Sequence, residues 1–256
     1  MRNIALLAAC AAVVLAAPAA LAENDEPVDG WSGEGALSAG MTRGNTNTSD
    51  VGVKFDLDRA AGAWTVGLQG EADYGKQDGL ETRNRAFAAI DLDHEMTESF
   101  FSFGRVSYEV DQFTGFDSRS FVGGGVGYRL PEDGAIEWVV RGGPGVKIDE
   151  LKRVITVDDM GAALIIPATR ETSLGAVATS KFGWQINDKV KLSENAGVVY
   201  AKESTQFTNG VALTAALNGS LSARVSFDTR YDTNPPHGFE STDSASKIAL
   251  VYTLGK

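Results

Sequence analysis

From Trp31 to Leu254 the chain alternates apolar and polar residues with a period of two, in roughly a dozen stretches of about ten residues each. Successive side chains of a strand point to opposite faces, so within 50–59 Val51, Val53, Phe55 and Leu57 fall on one side and Asp50, Lys54, Asp56 and Asp58 on the other. A helical period would scramble these sets. Strands are predicted at 31–42, 49–59, 64–74, 82–93, 100–111, 119–130, 136–146, 170–186, 190–201, 206–217, 221–232 and 243–254, an even number. Short links at 60–63, 131–135, 187–189 and 218–220, with a somewhat longer one at 94–99, alternate with longer polar loops at 43–48, 75–81, 112–118, 147–169 and 233–242. Short turns on one side and long loops on the other are the habit of transmembrane β-barrels, with the turns in the periplasm.

The two faces sort by chemistry as a barrel requires. One carries Trp64, Val66, Leu68, Ala72 and Tyr74, then Val106, Tyr108 and Val110, Trp138, Val140 and Val146, Phe182, Trp184 and Ile186, and Leu221, Ala223, Val225, Phe227 and Tyr231. Aromatic rings recur at strand ends, where headgroups lie. The candidate lumen charges are Lys54, Asp56, Glu71, Asp73, Arg85, Asp91, Arg105, Glu109, Arg119, Arg129, Glu137, Arg141, Arg224, Asp228 and Arg230. Both signs occur on most strands, which predicts Arg–carboxylate pairs filling or narrowing the lumen rather than a field of one sign. Glu194 breaks the pattern: continuing Val190 and Leu192 puts it on the lipid face unless a bulge near Ser193 resets the phase or it sits near an interface. A soluble β-sandwich also alternates, but with less regular strands and no need for paired charges on its wet face. The fold class expected is all-β, a single antiparallel up-and-down transmembrane β-barrel of about twelve strands, closed so that no unpaired edge meets hydrocarbon.

The ends of the chain add two signals. Arg2, the apolar run 4–17 and Ala20-Leu21-Ala22 read as a cleaved export signal over 1–22, with the barrel domain at 23–256. At the other end Lys247, Ala249, Tyr252 and Leu254 follow the polar, small, aromatic, hydrophobic spacing of a strand read by the barrel-assembly machinery, although Gly255 and Lys256 stand beyond it and the usual terminal Phe is missing. The only cysteine, Cys10, lies in the leader, so the barrel has no thiol or disulfide. A net charge of −11 argues against nucleic acid as a partner, and 29 glycines suit many strands and turns. The expected setting is the outer membrane of a Gram-negative bacterium, in contact with lipid and lipopolysaccharide, as a monomer by default.

Four stretches carry a family likeness: Ser38-Ala39-Gly40-Met41-Thr42-Arg43-Gly44-Asn45-Thr46, Gly125-Val126-Gly127-Tyr128-Arg129-Leu130, Gly143-Pro144-Gly145, and a closing run of Tyr231, Asn234-Pro235-Pro236, Gly238, Thr242-Asp243 and Leu250-Val251-Tyr252. In order and spacing they resemble the salt-induced outer-membrane protein family, a domain of unknown function. The resemblance implies an outer-membrane β-barrel without catalytic residues or cofactors, and a regulatory link to salt or osmotic stress. The Leu-Gly-Lys terminus and the partly apolar segment 147–169 depart from the family pattern.

Catalytic and metal readings find little material. His94 and His237 are the only histidines, so a nucleophilic centre would have to join His237 with Ser241 or Ser244, as in an outer-membrane lipid hydrolase. Two distant histidines without a cysteine do not make a zinc site. Gly142-Gly143-Pro144-Gly145 lacks the Lys and helix of a phosphate loop, and its glycines suit a bent strand or a packed lumen. The segment 147–169, with Val154, Ile155, Val157 and Leu164-Ile165-Ile166, is expected to form a hairpin above the membrane rather than fold into the pore. Expected function is therefore envelope-structural or stress-related with a filled or narrow lumen, the alternative being a small-solute or ion channel.

Overall fold

The computed structural model describes residues 30–42, 47–130, 134–157 and 163–255. The leader and the Gly44-Asn45-Thr46 part of the first family-like stretch lie outside them.

Twelve strands close into one antiparallel barrel: β1 (Trp31–Thr42), β2 (Thr48–Ala61), β3 (Trp64–Gln77), β4 (Leu80–Glu95), β5 (Phe100–Asp111), β6 (Phe116–Arg129), β7 (Ile136–Leu151), β10 (Thr169–Asn187), β11 (Val190–Ala201), β12 (Gln206–Asn218), β13 (Leu221–Asp232) and β14 (Thr242–Leu254). Each strand pairs with its neighbour in sequence and β14 returns to β1. Between β7 and β10, β8 (Val154–Val157) and β9 (Ala163–Ile166) form a separate two-stranded sheet, the hairpin expected in the long loop. The strands flanking it run further than the alternation suggested: Lys147 and Asp149 belong to β7, whose pairing with β10 continues to Leu151 opposite Thr169.

Five short turns gather at one end of the barrel and six connections at the other, as the alternation of lengths predicts. One connection differs. The loop expected at 75–81 is a two-residue turn, with Gln77 paired to Leu80 and Asp78 and Gly79 at φ of 49° and 83°. Both central residues are left-handed, which is the hairpin geometry that Asp-Gly favours; Asp78 also accepts the Asn47 amide at 2.9 Å.

The buried apolar cluster lies inside the barrel. Phe101, Phe103 and Phe121 project inward with Val177, against Val139 and Val199. Glycines make the room: a Cβ on Gly127 would sit 2.1 Å from the Phe101 ring and one on Gly145 would sit 2.3 Å from the Phe121 ring. Where Gly125 faces Gly143 the backbones themselves touch, since a Cβ on Gly143 would meet the Gly124 carbonyl at 2.1 Å.

The outward faces carry the large exposed apolar side chains, including Trp64, Ile90, Leu92, Val106, Tyr108, Val122, Val225 and Phe227. In water such a surface would be an unmanageable patch; in a bilayer it is the matched face. The seam is the weakest ladder. β1 and β14 pair only from Gly33–Leu254 to Ser38–Ala249, six positions, whereas the other ladders of the barrel pair ten or more.

Candidate functional site

The lumen holds the candidate site, and the strand phases assign its lining. Five pairs or clusters of opposite charge stand on the inner wall at successive levels. Arg85 lies beside Glu71 at 3.0 Å and donates through Nε to Glu109 at 2.9 Å, with Asp73 at 3.8 Å. Lys247 reaches both Glu71 and Asp73 at 2.8 Å. Arg105 donates to Asp91 at 2.7 Å and to Gln69 at 3.1 Å. Arg141 donates to both oxygens of Asp93, at 3.2 and 2.8 Å, and lies over the Phe101 ring. Arg224 holds Glu34 in a fork of 2.5 and 2.6 Å and also donates to Thr214. Paired this way, guanidiniums and carboxylates offset one another's charge where full hydration is lost, with Asp91 Oδ1 left without a hydrogen-bond partner among the described residues.

Three further pairs cross the bore. β5 and β13 stand opposite each other in the barrel, as do β2 and β10. Arg230 of β13 donates to Glu109 of β5 at 2.9 Å, and Lys181 of β10 reaches Asp56 of β2 at 3.4 Å. Near the loop end Arg119 of β6 pairs with Asp232 of β13. Beside it Lys147, 3% exposed, contacts Asp149 at 2.6 Å and donates to the Ser204 carbonyl, while the Ser204 hydroxyl donates to Asp232.

The expected charge pairing is therefore present, yet the pairs do not fill the barrel. A cavity of about 1190 Å³ extends from Ser32, Ser222, Thr253 and Lys189 at the turn end to Asp111, Thr114 and Asp243 at the loop end. Its wall is asymmetric. The β3–β7 side carries the phenylalanines and most of the arginines, while β11 and β12 contribute the small residues Ser193, Asn195, Gly197, Thr208, Ala212 and Thr214, and Ser222 and Ser226 stand beside the charges of β13. A fourteen-residue strand such as β3 rises about 35 Å along the axis at a tilt of ~40°. Spread over that height, 1190 Å³ is a mean cross-section on the order of 30 Å².

Of the remaining sequence candidates, Lys54 and Asp228 line the cavity. Glu137 meets Lys191 at 3.0 Å at the turn-end rim. Arg129 pairs with Glu95 at 3.2 Å, both about two-fifths exposed, so it belongs to the rim rather than the bore. In the terminal strand Lys247 and Ala249 face inward and Tyr252 and Leu254 outward, which places the polar member of that spacing in the ion network.

The loop end is braced by Lys152, which donates to the carbonyls of Asp111, Gln112 and Thr114 at 2.8, 2.9 and 2.8 Å. Burial against this turn holds its ammonium below the ordinary lysine range, against the pull of Asp117 and Asp111. Pro236 and Phe239 of the β13–β14 loop pack on Gly115 of the same turn.

The family described as "Protein of unknown function, DUF481" matches residues 35–254, the whole closed barrel from early β1 to the last residue of β14. The chain belongs to this family. Its description assigns no function and does not mention salt. The chain is also similar to the Escherichia coli (strain K12) protein described as "Uncharacterized protein YdiY", 23% identical over 226 residues that cover 86% of this chain and 83% of that protein. Among solved structures, an outer-membrane channel from Pseudomonas putida F1 superposes with a TM-score of 0.50 at 10% identity, over 91% of this chain and 98% of that one. The NanC porin superposes with a TM-score of 0.47 at 8% identity, over 87% and 98%. The first of these likenesses shows the shared barrel fold.

Sequence reasoning missed Glu34, Lys147, Asp149, Lys181 and Lys191 as lumen charges, and the inward phenylalanines. A signal existed for each group. Val146 and Ile148 continue the outward alternation of β7, which puts Lys147 and Asp149 inward; stepping by two from Arg105 and Arg119 reaches Phe103, Phe101 and Phe121.

Proposed function

We propose that this DUF481 barrel is a narrow passive channel for small polar solutes or ions in the outer membrane, with its short turns in the periplasm. The observation that carries this reading is a cavity lined by residues of both ends of the barrel. Carboxylates and cations occur together along its wall, interrupted by the inward Phe121, Val139, Val177 and Val199, so the bore admits water and small ions without a strong preference for either sign. Lys181–Asp56 is partly exposed, the kind of pair that ions in solution screen and that solute can part. No bond-making chemistry is involved.

A second reading follows from the crossing pairs themselves. If Arg230–Glu109, Arg119–Asp232 and Lys181–Asp56 stay closed, the barrel is an envelope-structural element, and a stress-related role of the kind the family resemblance implies would rest on stiffness rather than flux. Conductance in planar bilayers separates the two. Discrete steps for the purified barrel support the channel, and a sealed bilayer supports the structural reading.

A further inference from the structure

The outward positions of β11 are Val190, Leu192, Glu194, Ala196, Val198 and Tyr200, and no bulge resets their phase. The β10–β11 register is unbroken from Gly175 to Gln185, and β11–β12 is unbroken from Val190 to Val199. Glu194 is thus an exposed carboxylate on the face turned to hydrocarbon. The row on its turn side is Trp184, Leu192, Leu213 and Val225; two rows toward the loop end come Val198, Phe207 and Tyr231. It therefore stands between the aromatic ends of the wall. Among the described residues, other outward charges such as Arg59, Lys76, Glu150 and Arg170 lie near strand ends.

Asn209 of β12 donates its side-chain amide to Glu194 at 2.7 Å. The hydrogen-bonded row of Asn209 continues through Ser180, Ala196, Thr229 and Ser244, so a polar stripe crosses an otherwise apolar wall. A carboxylate has about four acceptor sites and one amide leaves most of them unmet. Hydrocarbon supplies no donor, and an ionised group there is costly without one.

We propose that this stripe is an interface with a second copy of the chain, in which Glu194 of each copy accepts from Asn209 of the other. Glu194 and Asn209 sit on adjacent strands one row apart, so a two-fold axis along the membrane normal between β11 and β12 brings each within side-chain reach of its complement. Ala178, Ser180 and Ala196 are small enough for close approach. Trp138, Val211 and Phe227, all exposed, supply an apolar rim. Lipopolysaccharide fits poorly, because its charges are anionic and sit at headgroup level. The interface does not depend on whether the lumen conducts.

Cys10 is the only cysteine and precedes the barrel, so a single Ala196→Cys substitution reports proximity without background. The folded protein is measured by light scattering in detergent micelles, and the cysteine variant is treated with a short bismaleimide in proteoliposomes. Expected are a mass above one copy, a cross-linked dimer, and association at least about tenfold weaker in the Glu194→Leu/Asn209→Leu double variant. Removing a lipid-facing carboxylate should leave the double variant's own heat-modifiable migration intact, so lost association is not lost folding. A monomeric wild type, an uncross-linked Ala196→Cys, or an oligomer indifferent to the double substitution overturns the proposal.

Discussion

Glu109→Gln is the most informative single change to the lumen. Glu109 Oε1 accepts from Arg85 Nε and Arg230 Nη1, both at 2.9 Å, so one atom joins neighbouring strands and spans the bore. The amide keeps the shape and removes the charge, leaving Arg85 with Glu71 and Asp73 while Arg230 loses its pair. Breaking a buried ion pair costs about 3–5 kcal/mol when the remaining charge is sealed from water. The side chains here are 11–23% exposed toward a polar cavity, so partial hydration lowers the expected loss to about 1–3 kcal/mol. The control is Glu95→Gln, the same chemistry at a pair about two-fifths exposed, where the loss should stay within about 0.5 kcal/mol. Urea unfolding in lipid vesicles, followed by the fluorescence of Trp31, Trp64, Trp138 and Trp184, reads both. Equal effects at the two sites, or a neutral Glu109→Gln, would refute the view that the lumen network is a partly dehydrated structural unit.

Further outcomes follow from the glycines, the seam and the loop brace. Gly145→Ala should destabilise by about 1–3 kcal/mol through the Phe121 ring and be partly rescued by Phe121→Leu, whereas Gly143→Ala meets a carbonyl and should resist that rescue; refolding yields of the single and double variants check this. Because β1 and β14 stop pairing above Ser38 and Ala249, amides of β14 that face β1 over 242–248 should exchange hydrogen faster than those in the interior of β12, and equal protection would count against the short ladder. Lys152→Met removes the donor to three carbonyls and should make the Gln112–Gly115 turn a preferred site of limited proteolysis, while the barrel stays intact.

The barrel was legible because it rests on a two-residue period that survives errors of a few residues at each strand end. Val225 and Arg224 fall on opposite faces whatever the boundary chosen for β13, and the same parity later located Phe103 inside. What parity cannot supply is distance around the circle. That Arg230 meets Glu109 depends on β5 and β13 being opposite in a ring of twelve, a property of closure and tilt that neither strand encodes alone. The loop expected at 75–81 failed for a local reason: Asp78-Gly79 is a tight-turn dipeptide, and reading polar residues as loop obscured it. Gly143 and Gly145 are the crowded members of the Gly142–Gly145 run, a Cβ on Gly142 meeting nothing nearer than the Val177 carbonyl at 3.7 Å, and the backbone and ring that crowd them depend on the register across β6 and β7. Glu194 needed only the absence of a bulge, which sequence does not fix and hydrogen-bond pairing does.

The claim that matters most is that the cavity is a path. Single-channel recording of the purified, heat-modifiable barrel in planar bilayers tests it directly. Small, discrete conductance steps with weak selectivity between cations and anions are expected, larger in Glu109→Gln where a crossing pair is gone. A bilayer that stays sealed with both proteins inserted would contradict it.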